Sequence, residues 1–388
     1  MGTSASRAVL VACAATLCAV GWLGINVVFN YGGNVSGLFW TGAKVPIPDS
    51  MTGHTRRMSD PVGFDGEYYH LVAHDPLMLR GFLPYLDNPS LRWRRIGLPG
   101  LAALLAAGSD RYVDFTYVGI QVVFVFLGAF WLCRYAQSHG ATGLWGLAFL
   151  VVPAVAVSLD RMTVDLPLAA LTIGLVLYGE GDVRPRRMFY VLLCAAPLFR
   201  ETGLVLLLGW CLYCALRRDW RAVGLGAACA VPASGWWAYV RFETAADHLP
   251  WLAAMPFGGI VRQTSETLRS AHAPAASLWL RAAAVSEAVA LAGIWLALLF
   301  LFYMVWRRRW GLIEVSVIVF AAFACMLGLD VWNSAYGTGR TMSPLLILLG
   351  LLALRERRIV LALPLLLVLP RIALQYEAQL RGALRGRL

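Results

Sequence analysis

Charge is scarce in this chain. Charged residues occupy 14% of its 388 positions, where soluble domains carry about 25%. With 59% of the residues hydrophobic, one water-soluble core of this length cannot bury the apolar surface. Metal-binding cysteine patterns are lacking too. The eight cysteines all lie in or at the ends of apolar runs, and no zinc spacing is present. Cys211 and Cys214 form a C-x-x-C, but Trp210, Leu212 and Tyr213 set it inside an apolar run. Small packing residues are expected there, rather than a redox pair. No internal repeat is visible, which argues against an inverted-repeat transporter.

What the chain has in quantity is apolar runs of roughly 20 residues bounded by charge, the signature of membrane spans. The net charge is +11, nearly all of it from arginine. The basic clusters are short and abut apolar runs. That excludes a nucleic-acid surface and fits loop charge that sets orientation, or attraction of anionic lipid headgroups and lipid phosphates. Arg7 precedes the apolar stretch Ala8 to Phe29. This is long enough to span a bilayer and longer than the core of a signal peptide, so it predicts an uncleaved first span with a cytoplasmic N-terminus.

Residues 30–112 then begin outside and form the longest polar stretch, and a loop of this length is usually functional. Within it, Ile96 to Ala107 is apolar but reaches only about 18 Å at 1.5 Å per residue, against a hydrocarbon core of about 30 Å. Read as a juxtamembrane helix, it puts Arg134, Arg184-Arg186-Arg187, Arg217-Arg218-Arg221, Arg307-Arg308-Arg309 and Arg355-Arg357-Arg358 in the cytoplasm. Further spans are expected near 113–134, 141–159, 163–179, 188–200, 202–216, 221–240, 283–306, 311–329, 341–354 and 358–375, about eleven with the first. Residues 188–216 read as a short hairpin turning inside the membrane near Arg200-Glu201. The tail from Arg371 reads as a basic interfacial helix. The expectation is an all-α polytopic protein of the plasma (inner) membrane. Residues 1–240 form its core, and 241–388 hold a second outer loop (241–282) and variable spans.

The polar stretch contains Phe64-Asp65-Gly66-Glu67-Tyr68-Tyr69, then His70, His74 and Asp75. Asp65 is either a helix N-cap or a general base facing a cavity, and if it caps, Glu67 can be the base instead. His70 and His74, four apart, share one helix face. With Asp65 or Asp75 they can hold a divalent cation, but no third ligand follows by spacing, so a solvated or interfacial pair and no cofactor are expected. An arginine such as Arg200 between apolar half-helices is costly unless paired. It is a phosphate ligand, or a structural partner of Glu201 or Asp160. Arg94 and Arg95 lie at headgroup depth, to hold a phosphate or snorkel. Arg161 and Asp165 bracket one connection, as an ion pair in the cavity wall or as a phosphate contact, and Arg340 heads a span. Tyr68, Tyr69, Trp93, Trp251 and Trp332 stack on sugar faces or belong to the interfacial aromatic belt.

In order along the chain, several segments resemble the GT-C glycosyltransferases, a group that includes protein O-mannosyltransferases, GPI mannosyltransferases and the aminoarabinose transferase of lipid A. They are the Asp65-Gly66-Glu67-Tyr68-Tyr69 loop, Asp75-Pro76, Arg92-Trp93-Arg94-Arg95-Ile96-Gly97-Leu98-Pro99, Ser158-Leu159-Asp160-Arg161 through Asp165, and Phe199-Arg200-Glu201-Thr202-Gly203. The resemblance covers roughly residues 1–240. It implies an inverting transfer from a polyprenyl-phosphate sugar to a cell-envelope glycan, lipid or protein on the outer face. Asp65 would be the base, Arg200, Arg94, Arg95 and Arg161 would hold the donor phosphate, and Tyr68, Tyr69, Asp160, Asp165 and Glu201 would line the cavity. Some members use a divalent cation and others do not. No large soluble domain follows the spans, which points to a small glycan or lipid acceptor. The competing expectations are a transporter or flippase of lipid-linked sugars, with charges buried mid-span, and a non-catalytic envelope scaffold, with no cavity at Asp65.

Overall fold

The computed structural model describes residues 2–180, 187–245, 252–272 and 277–385. Arg184, Arg186 and Trp251 lie outside them. Among the described residues the fold is all-helical, without strands.

Helix α1 (Gly2–Ile25) runs through a π turn to Asn30. The long polar stretch folds into α2 (Asp49–Thr52), α3 (Asp65–His74), α4 (Pro89–Arg94) and α5 (Gly97–Leu105), ahead of the long α6 (Asp110–Ser138). A 3-10 segment, Gly143–Val151, meets α7 (Pro153–Arg161) at a 55° bend. Pro153 opens α7 and has no N–H to continue the ladder across that bend. Then follow α8 (Asp165–Gly179), α9 (Arg187–Phe199), α10 (Gly203–Leu216), α11 (Trp220–Ala228), α12 (Val231–Glu243) and α13 (Gly258–His272). The last are α14 (Leu278–Arg307), α15 (Leu312–Cys325), α16 (Leu329–Trp332), α17 (Ala335–Glu356), α18 (Leu363–Leu374) and α19 (Glu377–Arg385).

Five segments are long and apolar enough to cross a membrane: Ala5–Asn30, Asp110–Ser138, Leu278–Arg307, Tyr336–Glu356 and Ile359–Leu384; the bent pair makes a sixth. The sequence reading expects about eleven. The difference lies in short helices. The 15 residues of α8 reach only about 22 Å, and α9, α10 and α15 are shorter still. The stretch expected as one span at 221–240 breaks at Cys229 and Ala230 into α11 and α12. The tail read as interfacial ends in α19, an amphipathic helix set off from α18 by a turn at Gln375 and Tyr376. Leu10, Leu17 and Val28 stand exposed on the first span, an arrangement costly in water and natural against lipid chains.

Helix α8 is the centre of the bundle, buried from Asp165 to Val176. It packs beside α17, and the two run in the same direction. Arg340 of α17 meets Asp165 at one end, 3.5 Å apart, and Arg355 meets Glu180 at the other, 2.6 Å apart. The polar stretch has a small core of its own, which includes Met51, Leu71, Val72, Phe82 and Trp93 and is closed by Val240 of α12. Gly66 is where α3 touches the bundle: a Cβ there would stand 2.1 Å from the Arg161 carbonyl oxygen. Three indoles fix α4. Trp93 Nε1 donates to the Asp75 carbonyl at 3.0 Å, Trp236 Nε1 to the Trp93 carbonyl at 2.7 Å and Trp237 Nε1 to the Arg94 carbonyl at 3.1 Å.

Candidate functional site

Asp65 opens α3, but it does not cap it. The N-cap position is Phe64, and no side chain closes the cap there. The Asp65 carboxylate instead accepts from Arg92 Nη2 at 2.8 Å and from Arg340 Nη2. Burial works against its charge, but Arg340 and Arg92 outweigh burial and hold the carboxyl well below the usual range.

From this carboxylate an alternating chain of charge runs both ways. Arg92 is gripped by Asp87 at 2.9 and 2.7 Å, and its guanidinium lies 4.7 Å over the Tyr68 ring. On the other side Arg340 reaches Asp165. Asp165 also pairs with Arg200, whose Nη2 donates to Thr341 Oγ1 at 2.7 Å. Beside this chain, Arg95 donates from Nε to Glu201 at 2.8 Å and from Nη1 to the Tyr69 hydroxyl at 2.7 Å. The sequence places these groups for local reasons. Asn88 caps α4 by accepting from the Leu91 N–H at 3.1 Å, so the helix starts where Arg92 and Arg95 face α3 and α10. Arg200 and Glu201 occupy the tight turn between α9 and α10.

Asp65, Asp87, Arg92, Arg94, Arg95, Arg200, Glu201 and Arg340 all line one cavity of about 480 Å³, with Leu252, Phe323, Leu327 and Val331 on its apolar side. The volume lies in the ordinary range of small-molecule sites, about 300–1,000 Å³. Five guanidiniums converge there, most of them oriented by carboxylates. The Nε atoms of Arg340 and Arg200 are buried with no hydrogen-bond partner among the described residues. Chemically this is an anion site with a carboxylate in its wall. It draws Phe323 and Arg340 from the C-terminal part, so it is not confined to residues 1–240.

Several expected site residues lie elsewhere. Glu67 is buried; its Oε2 accepts from the Gly42 N–H at 3.1 Å, and it does not line the cavity. Burial pushes its carboxyl up to about 7, against the pull of that N–H. Tyr69 is fully buried behind the cavity as an acceptor for Arg95 and Arg92, and Tyr68 serves as the surface under Arg92. Neither tyrosine lines the cavity. Arg161 does not pair with Asp165. It pairs with Asp160 at 3.1 Å, sits 3.6 Å over the Trp40 ring, and stays outside the cavity, as does Asp160. Arg200 takes Asp165 rather than Glu201 or Asp160 as its partner, since Glu201 is engaged by Arg95.

His70 and His74 are not a solvated pair. Both are buried, and their partner is neither Asp65 nor Asp75 but Asp114 at the head of α6. Asp75 is used locally, accepting from the N–H groups of Leu79 at 2.7 Å and Arg80 at 3.1 Å. Sequence reasoning missed Asp87, Asp110 and Asp114, and gave Arg92 no role of its own. One signal was present: Asp110 and Asp114 are four apart, as His70 and His74 are, so the two pairs match in pitch.

No family model matches the chain, nor does any curated protein or solved structure.

Proposed function

We propose that this chain is an inverting glycosyltransferase of the GT-C kind, moving a sugar from a polyprenyl-phosphate donor to a cell-envelope glycan, lipid or protein acceptor at the outer face of a plasma membrane. One observation carries the reading: the Asp65 carboxylate shares a single cavity with Arg92, Arg94, Arg95, Arg200 and Arg340. In this reading the arginine-rich far ends of α14 and α17 face the cytoplasm. The short helices also count as crossings, for about eleven in all.

The chemistry follows from the two kinds of group. The acceptor oxygen attacks the anomeric carbon and gives its proton to Asp65. The bond from that carbon to the phosphate oxygen breaks, and the polyprenyl phosphate leaves with the bonding electrons. Its growing charge is met by guanidinium forks, so no general acid is needed. Asp65 held by Arg92 and Arg340 is a weak base. A donor phosphate competes for those same guanidiniums, and as it draws them off, Asp65 regains proton affinity. Donor binding and activation of the base are then one event, which keeps the base idle until a donor is present.

The test is Asp65→Asn, assayed for transfer from a polyprenyl-phosphate sugar. Transfer is expected to fall by at least roughly 10²-fold. Undiminished transfer removes Asp65 from the mechanism and with it this reading.

A further inference from the structure

On the back of α3 lies a second constellation. At about 100° per residue, His70 and His74 sit roughly 140° and 180° round the helix from Asp65, and neither lines the cavity. His70 Nε2 lies 2.8 Å and His74 Nε2 3.2 Å from the same oxygen, Asp114 Oδ1. The three atoms all fall within 4.8 Å of one another.

The protonation pattern makes this arrangement informative. His74 Nδ1 lies 2.7 Å from Asp110 Oδ1. A carboxylate only accepts, so Nδ1 carries the proton and donates it. The neutral ring then presents the Nε2 lone pair to the Asp114 oxygen, acceptor against acceptor. Something positive belongs between them, a second proton or a metal ion. His70 Nε2 lies close to the same oxygen, is buried, and has no hydrogen bond of acceptable geometry among the described residues. Two imidazole nitrogens converging on one carboxylate oxygen favour the metal over the proton.

Zinc fits the dimensions. Its nitrogen and oxygen ligands stand about 2.0–2.2 Å away, which puts tetrahedral ligand atoms about 3.3–3.6 Å from one another. The His74–Asp114 separation lies just short of that range, and the His70–Asp114 separation would open by about 0.5–0.8 Å. The outer shell is also in place. Asp110 orients His74 as the carboxylate of a carboxylate–histidine–metal relay, and Arg80 grips Asp110 at 2.6 and 2.9 Å. The His70 ring stacks on Phe39 with centroids 4.3 Å apart. Two imidazoles and one carboxylate suit zinc better than magnesium or calcium, which prefer all-oxygen shells.

We infer that His70, His74 and Asp114 bind a zinc ion that clips the polar helix α3 to the head of α6. The ion would hold α3, and so the backbone of Asp65, against the bundle, with three protein ligands and a fourth position left for water. The inference stands apart from the transferase reading, because zinc binding is measured without any transfer assay.

The experiment uses the full chain purified in detergent without chelator. Metal analysis is expected to find about one zinc per chain. After removal with EDTA, Zn²⁺ alone restores a higher thermal midpoint, and Co²⁺ gives the absorption bands of a tetrahedral site. His70→Ala and Asp114→Asn lose stoichiometric zinc, while Asp110→Asn weakens it by roughly 10- to 100-fold. Should the ligand variants fail to fold, the wild-type Co²⁺ spectrum and Zn²⁺ response decide alone. A wild-type protein whose midpoint ignores both EDTA and Zn²⁺, and which binds no Co²⁺, overturns the site and leaves a protonated His74 between the two aspartates.

Discussion

Replacing Glu67 with glutamine separates two carboxylates that stand two residues apart in sequence and serve different ends. Burial lifts the Glu67 carboxyl from 4.5 to about 7, with the Gly42 N–H pulling the other way. A folded-state value above the unfolded one means that the native state prefers the protonated acid. The stability Glu67 contributes is complete below about pH 4.5 and is lost as the pH rises through about 7. At 1.36 kcal/mol per unit, a rise of about 2.5 units makes the cost about 3 kcal/mol at pH 8. The amide cannot ionise, and its oxygen still accepts from Gly42. Glu67→Gln is therefore expected to flatten the decline between pH 4.5 and 7 and to be the more stable protein at pH 8. Thermal midpoints in detergent, taken at half-unit pH steps, measure this directly. The same variant tests the catalytic assignment. A carboxyl near 7 is well tuned for proton transfer, but a base must first reach the substrate, and Glu67 is turned toward Gly42 and away from the cavity. Glu67→Gln should keep transfer where Asp65→Asn loses it. Parallel pH curves for the two proteins would refute the burial argument, and loss of transfer in Glu67→Gln would refute the geometric one.

Two further outcomes follow from the contacts. Arg340→Gln removes one of the two guanidiniums on Asp65 and a donor from the proposed phosphate pocket, so the donor KM should rise at least roughly tenfold; an unchanged KM would place the phosphate elsewhere. Gly66→Ala sets a methyl against the Arg161 carbonyl oxygen, 2.1 Å from the ideal Cβ position. It should lower stability by about 1–3 kcal/mol or more, read as a thermal midpoint several degrees down, and a wild-type midpoint would show that α3 can back away freely.

The sequence was legible where one physical term dominates. Apolar length against bilayer thickness marked the long helices at Asp110–Ser138 and Leu278–Arg307. It also marked Ile96 to Ala107 as too short to cross, and α5 is nine residues long. The same rule read one continuous span where a turn cuts the apolar run, as at Cys229, because hydropathy averages over a break in the ladder. Asp65 stood out at a helix start in the long polar stretch, and Arg200 because an isolated charge between apolar half-helices demands a partner. Which partner it takes is a tertiary matter. Nothing local tells Arg200 to choose Asp165 over the adjacent Glu201. Arg340 comes to Asp65 from 275 positions along the chain, and Asp114 comes to His70 only once α3 lies across the head of α6. The use of Gly66 is close approach to the Arg161 carbonyl, which has no signature in one sequence.

The paired helices α8 and α17 are joined at both ends, Asp165 to Arg340 and Glu180 to Arg355. A pair riveted in this way has no freedom of register. To slide or tilt one past the other, two ion pairs about 22 Å apart must let go together. A machine that opens first to one side of the membrane and then to the other needs a hinge, and this part of the molecule is a strut. The opposite side of the cavity, where α4 rests on α12, is held by tryptophan indole hydrogen bonds and by the ion pairs of Arg92 and Arg95. The strut carries Arg340 into the cavity, and the facing wall carries Arg92, Arg94 and Arg95.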